Sequence, residues 1–313
     1  HAVDGGSRLA RGETGPQRRA HALGPRLVHD GLGAWIGEVP GAEAVVTFNH
    51  NYMNPVLALR ALVARVGALN VVNIGTGFLQ SWLMTDPKIR QSGWRLKDPY
   101  GGLTDIGSHA GMLAAWIMGM DIAAVSGVKM STVGSHGAQC LDNGTLNIHF
   151  PNGLNGTSCF HQALPGHVDD LYAVVSFKDG VLPNGFCHAM FRMEWNPDGI
   201  FLSKGDGNID DWAQWKLQVH APCELITGAE LDLRFTPPGH MEGWPEGWRR
   251  MFKAIAGHFW TKLGLQFAAP LAGNFALPAP TLATAGEVSM RYIGAVIKAH
   301  TEGLGSVALA DVK

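Results

Sequence analysis

Hydrophobic and polar positions alternate along most of this chain after residue 43, and the period changes from segment to segment. Residues 44–49 form a short apolar run that predicts a buried strand. Residues 56–66 place Leu57, Leu59, Leu62, Val63 and Val66 at near-helical spacing, with Pro55 where a first turn tolerates it. A strand is expected over 70–79 and a helix from Thr104-Asp105, which can cap it, to about Met118. Short extended runs follow at 123–130, 144–150, 154–161, 171–177 and 185–195. Asp142-Asn143-Gly144, Pro151-Asn152-Gly153 and Lys178-Asp179-Gly180 separate them as tight-turn signals. Strands in meander order with short links predict a mostly antiparallel sheet, because parallel neighbours need long crossovers. Two late helices, about 246–263 and 283–300, would cover one face. The expected class is α/β (α+β), a large open sheet with helices on one face.

The first 43 residues break this pattern. Arg8, Arg11, Arg18, Arg19 and Arg26 lie among Gly, Ala and Pro with no period, a composition that points to disorder. The expected organisation is therefore an irregular segment over 1–43 and one domain over 44–313. Within 313 residues, 46% are hydrophobic and 16% charged, enough for a sizeable core. A net charge of −2 gives no general attraction to nucleic acid. No apolar run is long enough to span a membrane, so a membrane partner is not expected either. Cys140, Cys159, Cys187 and Cys223 are too sparse for a disulfide framework and form no CxxC pair. Reduced, buried thiols in a cytoplasmic protein are the expectation.

The strongest local candidate for chemistry is Asp105-Ile106-Gly107-Ser108-His109. On a helix, i and i+4 share a face, so the Asp105 carboxylate can hold one nitrogen of the His109 imidazole. The other nitrogen is then free to take a proton from a hydroxyl. The plain reading is that Asp105 is a cap and His109 a polar residue near the helix start. Upstream, Trp94-Arg95 offers a guanidinium beside an aromatic ring, suited to a polyhydroxylated or anionic ligand, or simply a surface cation packed on indole. Gly31-Leu-Gly33 and Gly75-Thr-Gly77 each begin like a dinucleotide loop, yet Ile36 and Gln80 occupy the third-glycine position. His149, Cys159, His161, His167 and His188 could be imagined as a metal cluster, but no HExxH or second ligand pair supports it. No metal site is expected, and no GxSxG nucleophile elbow occurs.

Taken in order, these segments resemble the Gfo/Idh/MocA family of oxidoreductases, which includes glucose-fructose oxidoreductase and inositol 2-dehydrogenase. The resemblance runs from about Val45 to Ala310. It is carried by Val46-Thr-Phe48-Asn49 through Tyr52 to Pro55, Phe78-Leu-Gln80-Ser-Trp82-Leu83 and Trp94-Arg95-Leu96. It continues with Thr104-Asp105-Ile106-Gly107-Ser108-His109, Glu194-Trp195-Asn196, Pro237-Pro238-Gly239-His240-x-Glu242-Gly243 and Arg291-Tyr-Ile293.

The resemblance implies the C-terminal domain of a Rossmann-plus-sheet dehydrogenase, with hydride transfer between a sugar or cyclitol hydroxyl carbon and NAD or NADP. It implies His109 as general base and Asp105 as its orienting residue. It places Arg95, Asn49, Tyr52 and Trp94 on the substrate or nicotinamide side, and implies a homo-oligomer through the open sheet face. The family also carries a GxGxxG loop and a Glu-Lys-Pro segment ahead of the strand matched by 45–49. Neither occurs here, and the first lysine of the chain is Lys88. No complete Rossmann domain is therefore expected, activity and cofactor binding should be impaired, and residues 1–43 fit out-of-frame translation of GC-rich DNA. The alternative is a non-enzymatic carbohydrate-binding or oligomerisation module derived from the family.

Overall fold

A computed structural model describes residues 47–81, 83, 97–133, 140–193, 196–204, 217–218, 243–263 and 283–312. The irregular segment expected over 1–43, and Arg95 and Trp94, lie outside the described residues.

The alternating runs become a mixed sheet of nine strands among the described residues. These are β1 (Val71–Leu79), β2 (Ala124–Ser131), β3 (Asn143–His149), β4 (Asn155–His161), β5 (Asp170–Phe177), β6 (Phe186–Arg192), β7 (Asn196–Lys204), β8 (Leu217–Gln218) and β9 (Ser306–Ala308). Their spatial order is β8-β7-β6-β5-β1-β4-β3-β2-β9. Every pairing is antiparallel except β1 with β4, where Phe78 lies opposite Phe160. The meander order expected from short links holds from β2 to β5 except for one insertion. The first strand lies between β4 and β5, because the chain from β1 to β2 crosses through a helix rather than a hairpin.

Each central strand buries one face. Ile74 and Phe78 of β1, Phe160 of β4, and Leu171, Ala173 and Val175 of β5 are sealed from solvent. Three helices cover this face: α1 (Asn54–Val66), α2 (Ser108–Met118) and α4 (Ala283–Glu302). A fourth, α3 (Trp244–Lys262), packs mainly on the turn that precedes α1. Pro55 opens α1 as expected, and Leu57, Leu59, Leu62 and Val63 are among its buried positions, while Val66 is half-buried. At the start of α3, the Glu246 carboxylate accepts the Gly243 N–H at 2.9 Å, satisfying one orphan donor of the helix start.

Two expectations change. Asn49 does not end a strand: Asn49–Tyr52 is a 3-10 turn, and all four of its residues are buried. The run expected over 185–195 is shorter, and the chain turns back into β7, which completes a hairpin that the motif-poor sequence there did not signal. The turns at 151–153 and 178–180 are where they were expected, whereas Gly144 lies inside β3.

Candidate active site

The site grows from the way α2 is delivered to the sheet. The Asp98 carboxylate accepts the Tyr100 N–H at 2.9 Å and the Thr104 hydroxyl at 2.8 Å. Asp98 therefore caps the helix start, one turn before the Thr104-Asp105 pair expected to do so. The chain then runs through a π-helical turn, Leu103–Gly107, into α2. Such wide turns recur at functional positions in helices. They also spoil the regular i, i+4 stacking on which an Asp105–His109 contact was predicted. Gly107 is required here: a Cβ would lie 2.9 Å from Phe160 Cδ1, so only glycine lets this turn rest on β4.

Resting on the sheet, the helix holds His109 over the carboxyl end of β1. The His109 ring meets the rings of Phe48, His50 and Phe78 edge to face, with centroids 5.3, 5.0 and 6.1 Å apart. Its Nδ1 lies 3.3 Å from Nδ1 of His50. His50 is only 6% exposed, whereas His109 stays half-buried. Burial pushes the His109 imidazole down to about 4, although the Asp105 charge pulls the other way. His50 falls further, to about 3, through burial and the neighbouring His109. Both rings are therefore neutral near pH 7, and His109 has the character of a base rather than a standing cation.

The carboxylate of Asp105 has a different partner from the one its spacing suggested. Its Oδ2 accepts Gln162 Nε2 at 2.6 Å, and no hydrogen bond joins it to His109 among the described residues. Gln162 follows β4, and its backbone is fixed by Asp142 and Leu83. Nearby, Gln80 Nε2 donates to Asp169 Oδ1 at 2.7 Å. Burial, together with the charges of Asp105 and Asp170, raises the Asp169 carboxyl, and the Gln80 bond opposes that rise. Asp105 thus acts on His109 through space, as a negative charge held in place by Gln162.

The 3-10 turn supplies the other side. Asn49 is buried, and with its amide oriented to accept, its oxygen takes the indole N–H groups of Trp244 (2.6 Å) and Trp248 (3.2 Å). Expected to face substrate, this oxygen instead ties α3 to the turn. Tyr52 is corrected more fully. It is 1% exposed and packs against Trp116 at 5.1 Å and against Met251 and Ala254. Of the expected residues, the structure brings His109 and Asp105 to one place and leaves Tyr52 in the packing behind it. His50, Gln162 and the two tryptophans were missed. No local pattern could reveal these pairings, since the partners lie from 57 to 199 residues apart in sequence, as for Gln162 with Asp105 and Trp248 with Asn49.

Four of the five imagined metal ligands are engaged separately. His149 contacts Ser126 and Asn155, His188 contacts Ser176, His167 contacts Asp170, and Cys159 contacts Tyr172. Among the described residues no group of three potential ligands gathers. Nor does the Gly75–Gly77 pair form a dinucleotide loop. Gly75 and Gly77 lie in mid-strand, where a Cβ on Gly77 would collide with Tyr172 and with Cys159 Sγ, so this pair serves sheet packing and not a phosphate loop. Gly31 and Gly33 lie outside the described residues. No described helix is long and apolar enough to cross a membrane.

Residues 56–182, which contain most of α1 together with β1, Asp105, His109 and Gln162, match the GFO/IDH/MocA C-terminal domain. The fold agrees. An oxidoreductase from Sinorhizobium meliloti aligns with 90% of this chain and 68% of its own, at 18% identity and a TM-score of 0.67. An inositol dehydrogenase homolog from Azotobacter vinelandii, solved with NADH and myo-inositol, gives the same coverage at 15% identity and a TM-score of 0.70. A levoglucosan dehydrogenase in complex with NADH and levoglucosan aligns with 85% of this chain and 66% of its own, at 17% identity and a TM-score of 0.60. No protein of curated function matches. The sheet and its helical cover are the fold shared with these structures. Residues 56–182 therefore carry the domain by which the Gfo/Idh/MocA oxidoreductases are recognised.

Proposed function

We propose that this chain handles the proton in an NAD(P)-linked oxidation of a sugar or cyclitol hydroxyl. The observation that carries the reading is His109: a neutral, half-buried imidazole held by aromatic edges beside the Asp105 charge, within the family-matched segment. A substrate hydroxyl placed against its Nε2 would give up its proton there, and the reverse reaction would return it to the carbonyl oxygen. Asp105 stabilises the imidazolium that forms, and Gln162 keeps that carboxylate in place. A nicotinamide, when bound, supplies the hydride acceptor. Its phosphates have no cradle among the described residues, so the family's reaction is expected to be impaired in this chain. The reading includes a cytoplasmic protein that self-associates through the uncovered sheet face, where Thr145, Asn147 and Thr157 are exposed and Tyr172 half-buried.

The test is NAD(P)H formation by the full chain with myo-inositol, levoglucosan and common aldoses, beside His109→Ala. Turnover lost by roughly 100-fold or more in the variant supports the reading, in line with the usual worth of a general base. Equal turnover in both would overturn it. Sugar binding unchanged in both, with no turnover in either, would favour a binding module instead.

A further inference from the structure

We propose that His50 is the positioning residue of His109, holding its Nδ1 by an imidazole–imidazole hydrogen bond and so fixing which nitrogen meets the substrate. The proposal rests on the reading of His109 as the proton-transfer residue.

Geometry comes first. The two Nδ1 atoms are 3.3 Å apart and the ring planes are perpendicular, so the rings are not stacked but meet at their edges. Two neutral imidazoles can bond through like-named nitrogens only if one carries the proton and the other does not. The contact therefore couples their tautomers. When His109 holds its proton on Nδ1 and donates it to His50, its Nε2 lone pair is free to act as a base.

Burial then separates the roles. His50 is packed at 6% exposure with its ring against Phe78, and its Nε2 finds no partner among the described residues. A buried polar ring with one unpaired nitrogen weakens the fold relative to an apolar ring of similar size. Packing alone gives no reason for histidine at this position; a neutral acceptor for His109 does. The deeper burial of His50 also keeps it the weaker base of the two, pushed to about 3 against about 4. In the oxidation direction the substrate O–H bond breaks and its proton bonds to His109 Nε2. A nicotinamide, if bound, would be the group to take up the hydride from that carbon. The Nδ1–H of the new imidazolium stays bonded to His50, which remains neutral, while Asp105 faces the charge. In reduction the proton returns from Nε2. Asp105 makes no hydrogen bond to His109 among the described residues, so the contact able to hold the tautomer is the one to His50.

Nitrogen NMR of the full chain with labelled histidine reads this directly, without turnover. The expected pattern has one Nδ1 protonated and the other bare, with His109 in a single tautomer. His50→Phe should convert His109 to a tautomer mixture, and His50→Gln, which can donate and accept, should restore one form. An unchanged His109 pattern in His50→Phe overturns the proposal. Should that variant fail to fold, the unsubstituted chain still decides: protons on both Nδ1 atoms, or on neither, exclude the bond. The tautomer pattern judges His50, and the His109→Ala turnover judges the reading beneath it, so the two failures are distinguishable.

Discussion

Arg192 grips Asp170 through both carboxylate oxygens. Its Nε lies 3.0 Å from each, and its Nη2 lies 2.6 Å from Oδ2. Asp170 opens β5 with no exposed surface, Arg192 closes β6, and His167 Nδ1 approaches the same carboxylate at 3.0 Å. The pair therefore fastens the end of the hairpin nearest the site. A buried carboxylate of this kind is tolerated because its acceptor capacity is filled by donors. Asp170→Ala removes the buried carboxylate that Arg192 and His167 share and should cost about 3 kcal/mol, as breaking such pairs does. Urea unfolding would show it as a lower midpoint at unchanged slope.

Gly107 carries a steric prediction. Gly107→Ala sets a methyl 2.9 Å from Phe160 and 3.0 Å from Leu103, both buried. Overpacking of a close contact usually costs about 1–3 kcal/mol. The melting temperature should fall, and since the turn carries Asp105, the Asp105–Gln162 bond should be disturbed with it. A variant as stable as the parent would show that α2 can lift from β4 freely.

The two histidines make stability depend on pH. Both have folded values below the ordinary 6.5, at about 3 for His50 and about 4 for His109. Below pH 6.5 the unfolded chain binds protons that the folded chain refuses, so their contribution is complete above pH 6.5 and is lost as pH falls toward 4. The slope approaches about 1.4 kcal/mol per pH unit for each histidine in that window. Urea midpoints measured from pH 7 to pH 4.5 should decline, and His50→Phe should flatten the decline. A flat profile in the parent chain would contradict the burial of both rings.

Nucleotide affinity should be weak. With Gly75 and Gly77 committed to sheet packing and no GxGxxG anywhere in the sequence, NADH titration of the chain should show no micromolar binding by fluorescence. Tight binding would mean that residues outside the described set form a cradle of another kind.

The sheet was largely legible because its strands alternate, and alternation survives any order of pairing. What alternation does not carry is neighbourhood: nothing in Val71–Leu79 says that its partners are β4 and β5. The site divides in the same way. Asp105 and His109 could be found because helical spacing relates residues four apart. Their actual partners, Gln162 and His50, lie 57 and 59 residues away. The π-helical turn was invisible because it is set by the fit of Gly107 on Phe160, a tertiary contact that overrides local spacing. Tyr52 was assigned to the substrate side by family resemblance alone, and the 3-10 turn sends it instead toward Trp116 and α3.

The central place of β1 has a consequence for how this protein comes into being. The middle strand is synthesised first, and its two neighbours emerge only when translation has reached residues 155–177. Until then both edges of Val71–Leu79 carry open hydrogen-bonding groups beside a buried-type apolar face, a template for the wrong partner. Closing the sheet requires contacts of long sequence separation, which slows folding. Nascent chains stopped before both neighbours of β1 have emerged should therefore depend more on chaperones than longer ones.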